Sequence, residues 1–259
     1  MMEKTFYYND FTDDVVESRD QDYALPDDYE WVRKGWWNKV KYVLAYAFTI
    51  LLGLVYLRLV LRVRFHHRKL LWRHRKEGYF VYGNHTQPFG DPLIPVIACL
   101  GQRVFGLAGT ANLGVPVFGK LLPYMGALPV TATRIGQQKL SDAITTRIGE
   151  GKVVFMYPEA HVWPYYTQIR PFSNAAFHYQ QQLEKKGYTL TTVYRKPRFG
   201  KHPRIDIYAD GPFVPDTALK PREQRQQLHD EVMNAMRTRV ANSDYEYIKY
   251  VKTEMPQNN

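Results

Sequence analysis

The sequence predicts an α/β fold, a mixed sheet flanked by helices and preceded by a membrane-associating helix. From about Tyr79 onward, short apolar runs alternate with helical patterns, the order expected when strands and helices build one sheet. The chain has 259 residues, of which 45% are hydrophobic, enough for one large core. A long uncharged stretch near the N-terminus supplies the preceding helix.

The predicted elements follow from these runs in order. Strands are expected at 79–82, 104–108, 127–130, 153–157, 189–194 and 204–208, where short apolar segments end at turn residues. Helices are expected at 92–100, 115–122, 139–148, 174–186 and 221–240. We expect the tail after Glu254, which is polar, to be frayed.

Charge divides the chain into three segments: an acidic arm (1–30), a membrane-associating segment (31–77) and an α/β domain (78–259). Residues 1–30 carry ten acidic and two basic side chains, and the rest carries 33 basic and 15 acidic side chains. The arm has no sustained periodicity, so we expect it to be mobile or draped on the surface. The basic body favours anionic partners such as phosphate headgroups, a phosphorylated cofactor or nucleic acid.

Residues 42–57 contain sixteen consecutive residues without a formal charge. Tryptophans and cations precede this run and arginines follow it, as expected where a helix meets lipid headgroups. Sixteen residues make about 24 Å of helix, short of the roughly 30 Å hydrocarbon core. We therefore predict a helix that dips into one leaflet from the cytoplasmic face of the membrane. The alternatives are a helix that spans the membrane fully and a helix that packs inside the protein. The acidic start of the chain does not resemble a cleavable signal peptide.

His85 and Asp91 form the candidate catalytic pair. His85 follows the first predicted strand of the domain, and Pro88 and Gly90 separate it from Asp91. Six residues of continuous helix would point the two side chains apart, whereas a turn can return the carboxylate to the imidazole. A histidine with a carboxylate on its other nitrogen can act as a general base at neutral pH. Asp91 before Pro92 is also a plain helix cap, and His85 could be structural.

Four further segments, taken with the His85 region, resemble the PlsC-like glycerolipid acyltransferases. They are Leu113-Gly-Val-Pro-Val-Phe-Gly119, Gly126-Ala-Leu-Pro-Val130, Val154-Phe-Met-Tyr-Pro-Glu159 and Pro171-Phe-Ser-Asn-Ala-Ala-Phe177. The resemblance implies transfer of an acyl group from acyl-CoA or acyl carrier protein to a lysophospholipid or glycerol-3-phosphate hydroxyl. It implies that His85 is the general base, that Asp91 orients it, and that Asn84, Gly126, Pro158 and Glu159 belong to the substrate-binding region.

The sequence departs from the family pattern in the spacing of the His85–Asp91 pair and in positions where arginines that hold phosphate are usual. Five residues rather than four separate His85 from Asp91, and Ala160-His161-Val162 follows Glu159. Arg134, Arg170 and His161 are candidate substitutes, with surface or structural roles as alternatives. A bidentate arginine is the strongest reason to expect a phosphorylated acceptor. Lysophosphatidic acid, used in phospholipid biosynthesis, ranks first, and an amino-lipid or glycolipid acceptor stays open.

No bound cofactor or metal is expected, because the eight histidines include no helical metal motif and Cys99 is the single cysteine. None of the four serines lies in a nucleophile elbow, so direct transfer needs no acyl-enzyme. The basic run 195–204 is expected either to be a solvated hairpin or to contact anionic lipid or coenzyme A phosphates. Nucleic acid is disfavoured, because the aromatic residues do not interleave with this run in the stacking pattern that single-strand binders use. A non-catalytic lipid-binding scaffold is the alternative of another class, and the oligomeric state is open.

Overall fold

The computed structural model describes residues 4–16, 23–26, 28–115 and 118–253. The strands are β1 (Thr5–Tyr8), β2 (Arg64–His66), β3 (Tyr79–Gly83), β4 (Val104–Gly109), β5 (Ala127–Val130), β6 (Val153–Met156), β7 (Gly187–Arg195), β8 (Arg204–Phe213) and β9 (Lys249–Lys252). The helices are α1 (Trp36–Val55), α2 (Lys69–Arg73), α3 (Ile94–Ala98), α4 (Ala111–Gly114), α5 (Phe118–Met125), α6 (Arg134–Gly149), α7 (His178–Gln182) and α8 (Pro221–Val240). A π-helical turn (Tyr56–Val60) continues α1, and a 3₁₀ turn (Asn174–Phe177) precedes α7.

Seven strands form one mixed sheet in the order β2-β8-β7-β3-β6-β4-β5. Strands β7, β3, β6, β4 and β5 run parallel to one another, and β8 is antiparallel to β7. The predicted fold class, a mixed sheet flanked by helices, is confirmed. The five parallel strands end at the same edge of the sheet, which we call the carboxyl edge. Loops at this edge are where an α/β fold places its reactive groups.

Two apolar cores cover the two faces of the sheet. On β3, Tyr79 and Val81 belong to one core, whereas Phe80 and Tyr82 belong to the other, because successive strand residues point to opposite faces. Helix α3 and one side of α1 cover the first face, and α6 and α8 cover the second. All five residues of β3 are buried, so the strand that leads to His85 is held rigidly at the centre of the sheet.

Helix α1 is longer than the sequence predicts. Together with the π-helical turn it runs from Trp36 to Val60, 25 residues, or about 38 Å at 1.5 Å per residue. The prediction of a helix too short to cross a bilayer is therefore wrong in length, since basic and aromatic flanking residues join it. By length and composition it could span a membrane. One side packs on the domain, where Gly53 lies against Ile97 of α3.

The acidic arm contains a strand that the sequence did not predict. Strand β1 pairs in parallel with β9 near the other end of the chain, and we call this two-stranded unit the terminal sheet. Neither four-residue strand has a detectable local period, because its pairing is made over more than 240 residues of separation. The remainder of the arm at 1–3, 17–22 and 27, and the tail from Glu254, lie outside the described residues.

Other differences concern element ends and the proposed domain boundary. Helix α6 begins five residues earlier than expected, at a cap where Thr133 accepts the backbone N–H of Gly136. The predicted helix at 115–122 begins just after α4 and overlaps only the first part of α5, with 116–117 outside the described residues. Strand β2 was missed, and it pairs with β8 in the main sheet. The segment 31–77 is therefore built into the domain rather than appended to it.

Candidate active site

The side chains of His85 and Asp91 meet at the carboxyl edge. The turn after β3 brings the Asp91 carboxylate to 2.6 Å from Nδ1 of His85. The turn closes on itself, because the Asp91 backbone N–H donates to the carbonyl of Gln87 and the Gln87 N–H donates to the Asp91 carboxylate at 2.9 Å. The predicted contact is therefore present, and the longer spacing is absorbed by this turn. The catalytic roles of the two residues stay predictions.

Burial makes this pair chemically asymmetric. The Asp91 side chain has no solvent exposure, whereas 22% of the His85 side chain is exposed. Burial raises the pKa of the Asp91 carboxyl group, opposed by its hydrogen bond to His85. A buried carboxylate on Nδ1 fixes the imidazole tautomer and stabilises the imidazolium once a proton arrives. This leaves Nε2 of His85 as the atom able to accept a proton.

Tyr157 completes the support of the imidazole. Its ring stacks on the His85 ring with centroids 4.2 Å apart and planes 9° from parallel, and its hydroxyl donates to the Asp91 backbone carbonyl at 2.7 Å. From the sequence, Tyr157 is the end of a predicted strand and part of the segment Val154–Glu159, with no role of its own. Because β6 neighbours β3 in parallel, the residue after β6 lies beside the residue after β3, and this pairing was the missing signal.

Glu159 and Arg170 form a buried ion pair behind His85. One carboxylate oxygen of Glu159 accepts the backbone N–H of His85 at 3.1 Å and lies 3.2 Å from the Arg170 guanidinium. The Arg170 guanidinium also donates to the carbonyls of Phe11 and His161. The Arg170 side chain is 1% exposed, so it is not free to hold a substrate phosphate, and that expectation is corrected. Burial raises the pKa of Glu159, while Arg170 opposes the shift.

The other predicted residues occupy different positions around this centre. Asn84 is buried, and both polar atoms of its side chain bond to the Thr192 backbone, so it joins β3 to β7 rather than facing substrate. Pro158 and His161 are half-buried in the loop after β6. The imidazole of His161 lies 3.7 Å from Asp14 of the arm. Of this group, Pro158 and His161 are therefore the partly exposed residues.

Gly126 and Arg134 lie at opposite ends of β5. Gly126 precedes the strand and has a positive φ of +114°, a backbone conformation that favours glycine. A Cβ at this position would collide with the Val104 carbonyl oxygen. It therefore lies at the edge opposite His85 and shapes the turn into β5, which corrects its expected role in substrate binding. Arg134 is exposed at the start of α6, on the carboxyl edge. Since β5 is three strands from β3, Arg134 is separated from His85 by about 14 Å of sheet.

The terminal sheet packs against the loop that holds His85. The Trp163 backbone N–H donates to the His85 carbonyl at 2.9 Å, and the Trp163 indole N–H donates to the Asp13 carbonyl at 2.9 Å. The Trp163 ring is fully buried and stacks on Tyr250 of β9, with centroids 5.0 Å apart. The chain termini therefore fix the backbone on one side of His85. No local pattern in the sequence indicates this position of Trp163, because its partners Asp13 and Tyr250 lie far away along the chain.

Metal-binding residues do not gather in the part of the chain that the structure describes, where no group of three or more His, Cys, Asp or Glu side chains could hold an ion. The expectation of metal-independent chemistry stays a prediction. Cys99 is buried, and burial raises the pKa of its thiol to about 12. That thiol is therefore unsuited to act as a nucleophile.

The fold is a mixed α/β sheet, and its candidate site holds a partly exposed histidine supported by a buried carboxylate. A sequence model of the family described as Acyltransferase matches residues 62–196, just over half of the chain, including His85 and Asp91. The chain belongs to this acyltransferase family. Sequence comparison with curated proteins finds no match.

A solved structure supports the same fold. The 1-acyl-sn-glycerophosphate (LPA) acyltransferase PlsC from Thermotoga maritima superposes with a TM-score of 0.51 at 12% identity, covering 80% of this chain and 100% of that chain. At this identity the similarity concerns the fold alone. The predicted PlsC-like acyltransferase family is confirmed, and the alternative of a non-catalytic scaffold is not favoured by it.

Proposed function

We propose that this chain is a membrane-associated O-acyltransferase that moves a fatty acyl group from acyl-CoA or acyl carrier protein to a lysophospholipid. The acceptor we rank first is 1-acylglycerol-3-phosphate. The observation that carries the proposal is the buried Asp91 carboxylate on Nδ1 of a partly exposed His85. With Nδ1 held by Asp91, Nε2 is the ring nitrogen left to act as a base. An acceptor hydroxyl at that atom would be activated without a metal or an acyl-enzyme.

In the proposed reaction, His85 carries the single proton that passes from the acceptor hydroxyl to the leaving sulfur. The acceptor hydroxyl transfers its proton to Nε2 as its oxygen attacks the thioester carbonyl, giving a tetrahedral intermediate. The thiolate then leaves as the carbonyl reforms, and the imidazolium of His85 returns the proton to the sulfur. Asp91 stabilises the imidazolium between these steps, and Tyr157 keeps the ring plane in place through its stacking contact.

Helix α1 supports association with a membrane. Its outward side carries exposed apolar side chains, namely Trp36, Trp37, Val43, Leu44, Phe48, Leu51, Leu54, Val55, Leu59 and Val60. A contiguous patch of this size on a soluble chain indicates contact with lipid or protein.

Contacts along the whole of α1 support the monotopic arrangement. Near its start the Tyr124 hydroxyl donates to Asn38 at 2.9 Å, and at its middle the Tyr46 hydroxyl accepts the Val104 N–H at 2.9 Å. Leu57 near its end is fully buried in the domain core. A helix that packs on one domain along its length would lie in one leaflet with its outer side in lipid. We propose the cytoplasmic face, from the basic charge of the body.

A second acceptor class is favoured by one observation, the burial of Arg170 in its ion pair with Glu159. With that guanidinium engaged, the remaining candidates for phosphate are His161, which lies near Asp14, and the exposed Arg134, three strands away. An amino-lipid or glycolipid acceptor would not require a bidentate cation beside His85.

The test is a thiol-release assay with a panel of lyso-lipid acceptors and both donor types. We expect His85→Ala to lose more than about a hundredfold of rate, since general-base contributions are about 10² to 10⁴, with an unchanged melting temperature. Near-normal turnover by that variant would exclude the mechanism. A preference for lysophosphatidic acid that Arg134→Ala weakens, with Lys139→Ala on the same helix as control, would support the phosphorylated acceptor. Equal use of neutral lyso-lipids would favour the second class.

A further inference from the structure

The turn between β7 and β8 places an exposed phenylalanine among cations at the carboxyl edge. This segment, residues 196–203, which we call the hairpin tip, contains Lys196, Arg198 and Lys201 and no acidic residue. Phe199 at its centre is 93% exposed. A large ring left in solvent on a charged loop has no packing role in this chain, so its surroundings indicate what could cover it.

The hairpin tip is held in place rather than hanging free. The last paired residues of the hairpin are Arg195 and Arg204, and Gly200 takes the positive φ that the turn requires. The Tyr245 hydroxyl donates to the Lys201 carbonyl at 3.1 Å, and the Tyr247 hydroxyl lies 3.2 Å from His202. The segment before β9 therefore supports the tip from one side and fixes its direction.

Strand directions place the hairpin tip beside the end of α1. Strand β7 is parallel to β3, so both the tip and His85 lie at the carboxyl edge. Strand β2, which follows α1, pairs with β8 from its first residue, where Arg64 lies opposite Asp206. The exposed Leu59 and Val60 at the end of α1 are therefore at the same edge as the tip.

The turn between His85 and Asp91 adds a third apolar point to this edge. Phe89 in that turn is 80% exposed, and its neighbour Gly90 lies against Leu61, which follows α1. Exposed Arg58, Arg62 and Arg64 accompany these apolar residues. Arg195 is engaged by Asp206 and Asp244, so the cations of the tip itself are the ones that extend the basic surface.

We propose that the hairpin tip is a second membrane-docking element, which inserts Phe199 into the headgroup region of an anionic bilayer beside the end of α1. Aromatic rings flanked by lysine and arginine are favoured in that region, and each cation near an anionic surface strengthens binding. The inference rests on the proposed lipid acceptor, because docking at this edge places the open side of His85 at the level of lipid hydroxyls. Coenzyme A phosphates could use the same cations but would not cover Phe199, and charge complementarity with ring exposure therefore favours the bilayer.

The test measures the depth of Phe199 on vesicles. Phe199→Cys and Lys76→Cys, each with Cys99→Ala, are labelled with an environment-sensitive fluorophore and mixed with phosphatidylcholine vesicles, with or without phosphatidylglycerol. Lys76 is exposed in the turn that leads into β3, at the opposite edge. We expect a blue shift and quenching by shallow nitroxide lipids at position 199, stronger with phosphatidylglycerol, and no change at position 76. An unshifted label at 199 on vesicle-bound protein, or no vesicle binding at all, would overturn the proposal.

A charge variant tests the same surface without a label. Arg198→Glu with Lys201→Glu should weaken partitioning onto phosphatidylglycerol vesicles by at least about thirtyfold, with an unchanged melting temperature and unchanged turnover of a detergent-solubilised acceptor. Equal partitioning of variant and wild type would contradict the inference. Docking without turnover of any lyso-lipid would instead overturn the proposed function, so the two failures are distinguishable.

Discussion

The carboxylate of Glu159 and the guanidinium of Arg170 form an ion pair from which solvent is excluded, with side-chain exposures of 0% and 1%. The same carboxylate accepts the backbone N–H of His85. The pair therefore joins the loop after β6 to the turn that carries His85. It also removes from the substrate side an arginine that the sequence offered as a phosphate ligand.

Arg170→Met should destabilise the protein by about 3–5 kcal/mol, because Glu159 would become an uncompensated buried carboxylate. Adding Glu159→Gln should recover much of this loss, since no buried charge then remains. Urea unfolding at several pH values measures both. The burial-raised pKa of Glu159 means that its charge costs stability above that pKa, so the single variant should regain stability as the pH falls. A double variant no more stable than the single one would contradict this reading.

Asp91→Asn should separate stability from activity. Burial raises the pKa of Asp91, so the ionised side chain costs folding free energy at neutral pH, and this cost disappears as the pH falls below that pKa. At neutral pH we expect the melting temperature of the variant to equal or exceed that of wild type. Any excess should shrink as the pH falls and Asp91 of the wild type becomes protonated. Turnover should fall by about 10² to 10⁴, because the imidazolium loses its counter-charge. Wild-type turnover in the variant would show that Asp91 only closes the turn after β3, through the Gln87 N–H.

Tyr250→Ala should loosen the backbone beside His85 from a distance. Tyr250 stacks on Trp163 and donates to the Pro164 carbonyl at 2.8 Å, and Trp163 in turn binds the His85 carbonyl. Removing the ring should cost about 2 kcal/mol and lower kcat more than it raises KM. Tyr250→Phe is the matched control, because it keeps the stack and loses only the hydroxyl bond, worth about 1 kcal/mol. Equal loss in both variants would argue against the stacking contact.

The two sides of α1 should respond differently to substitution. Gly53→Leu would place side-chain atoms where a Cβ alone already comes within 2.8 Å of Ile97, so overpacking should cost about 1–3 kcal/mol. Leu51→Asn on the exposed side should leave the melting temperature unchanged and weaken vesicle binding roughly tenfold. Calorimetry and vesicle sedimentation distinguish these outcomes. Destabilisation by Leu51→Asn instead would show that this side packs on protein.

Local patterns in the sequence were sufficient for most strands of the main sheet and for helix α8. Strand β5 and helix α8 have the predicted bounds, 127–130 and 221–240, because apolar runs and helix caps act over a few residues. The turn from His85 to Asp91 was also predictable, since Pro88 and Gly90 lie between them and exclude a continuous helix.

Contacts between distant segments set the rest of the site. Because the strands are parallel, Gly126 before β5 lies at the edge opposite His85. Arg170 is buried in an ion pair with Glu159. Parallel pairing of β3 and β6 brings Tyr157 against the imidazole of His85. Strand β1 pairs with β9 beside Trp163. Residue type and spacing state which chemistry a side chain can perform. Whether it faces substrate or another side chain depends on long-range packing, which leaves no periodic signal in the chain.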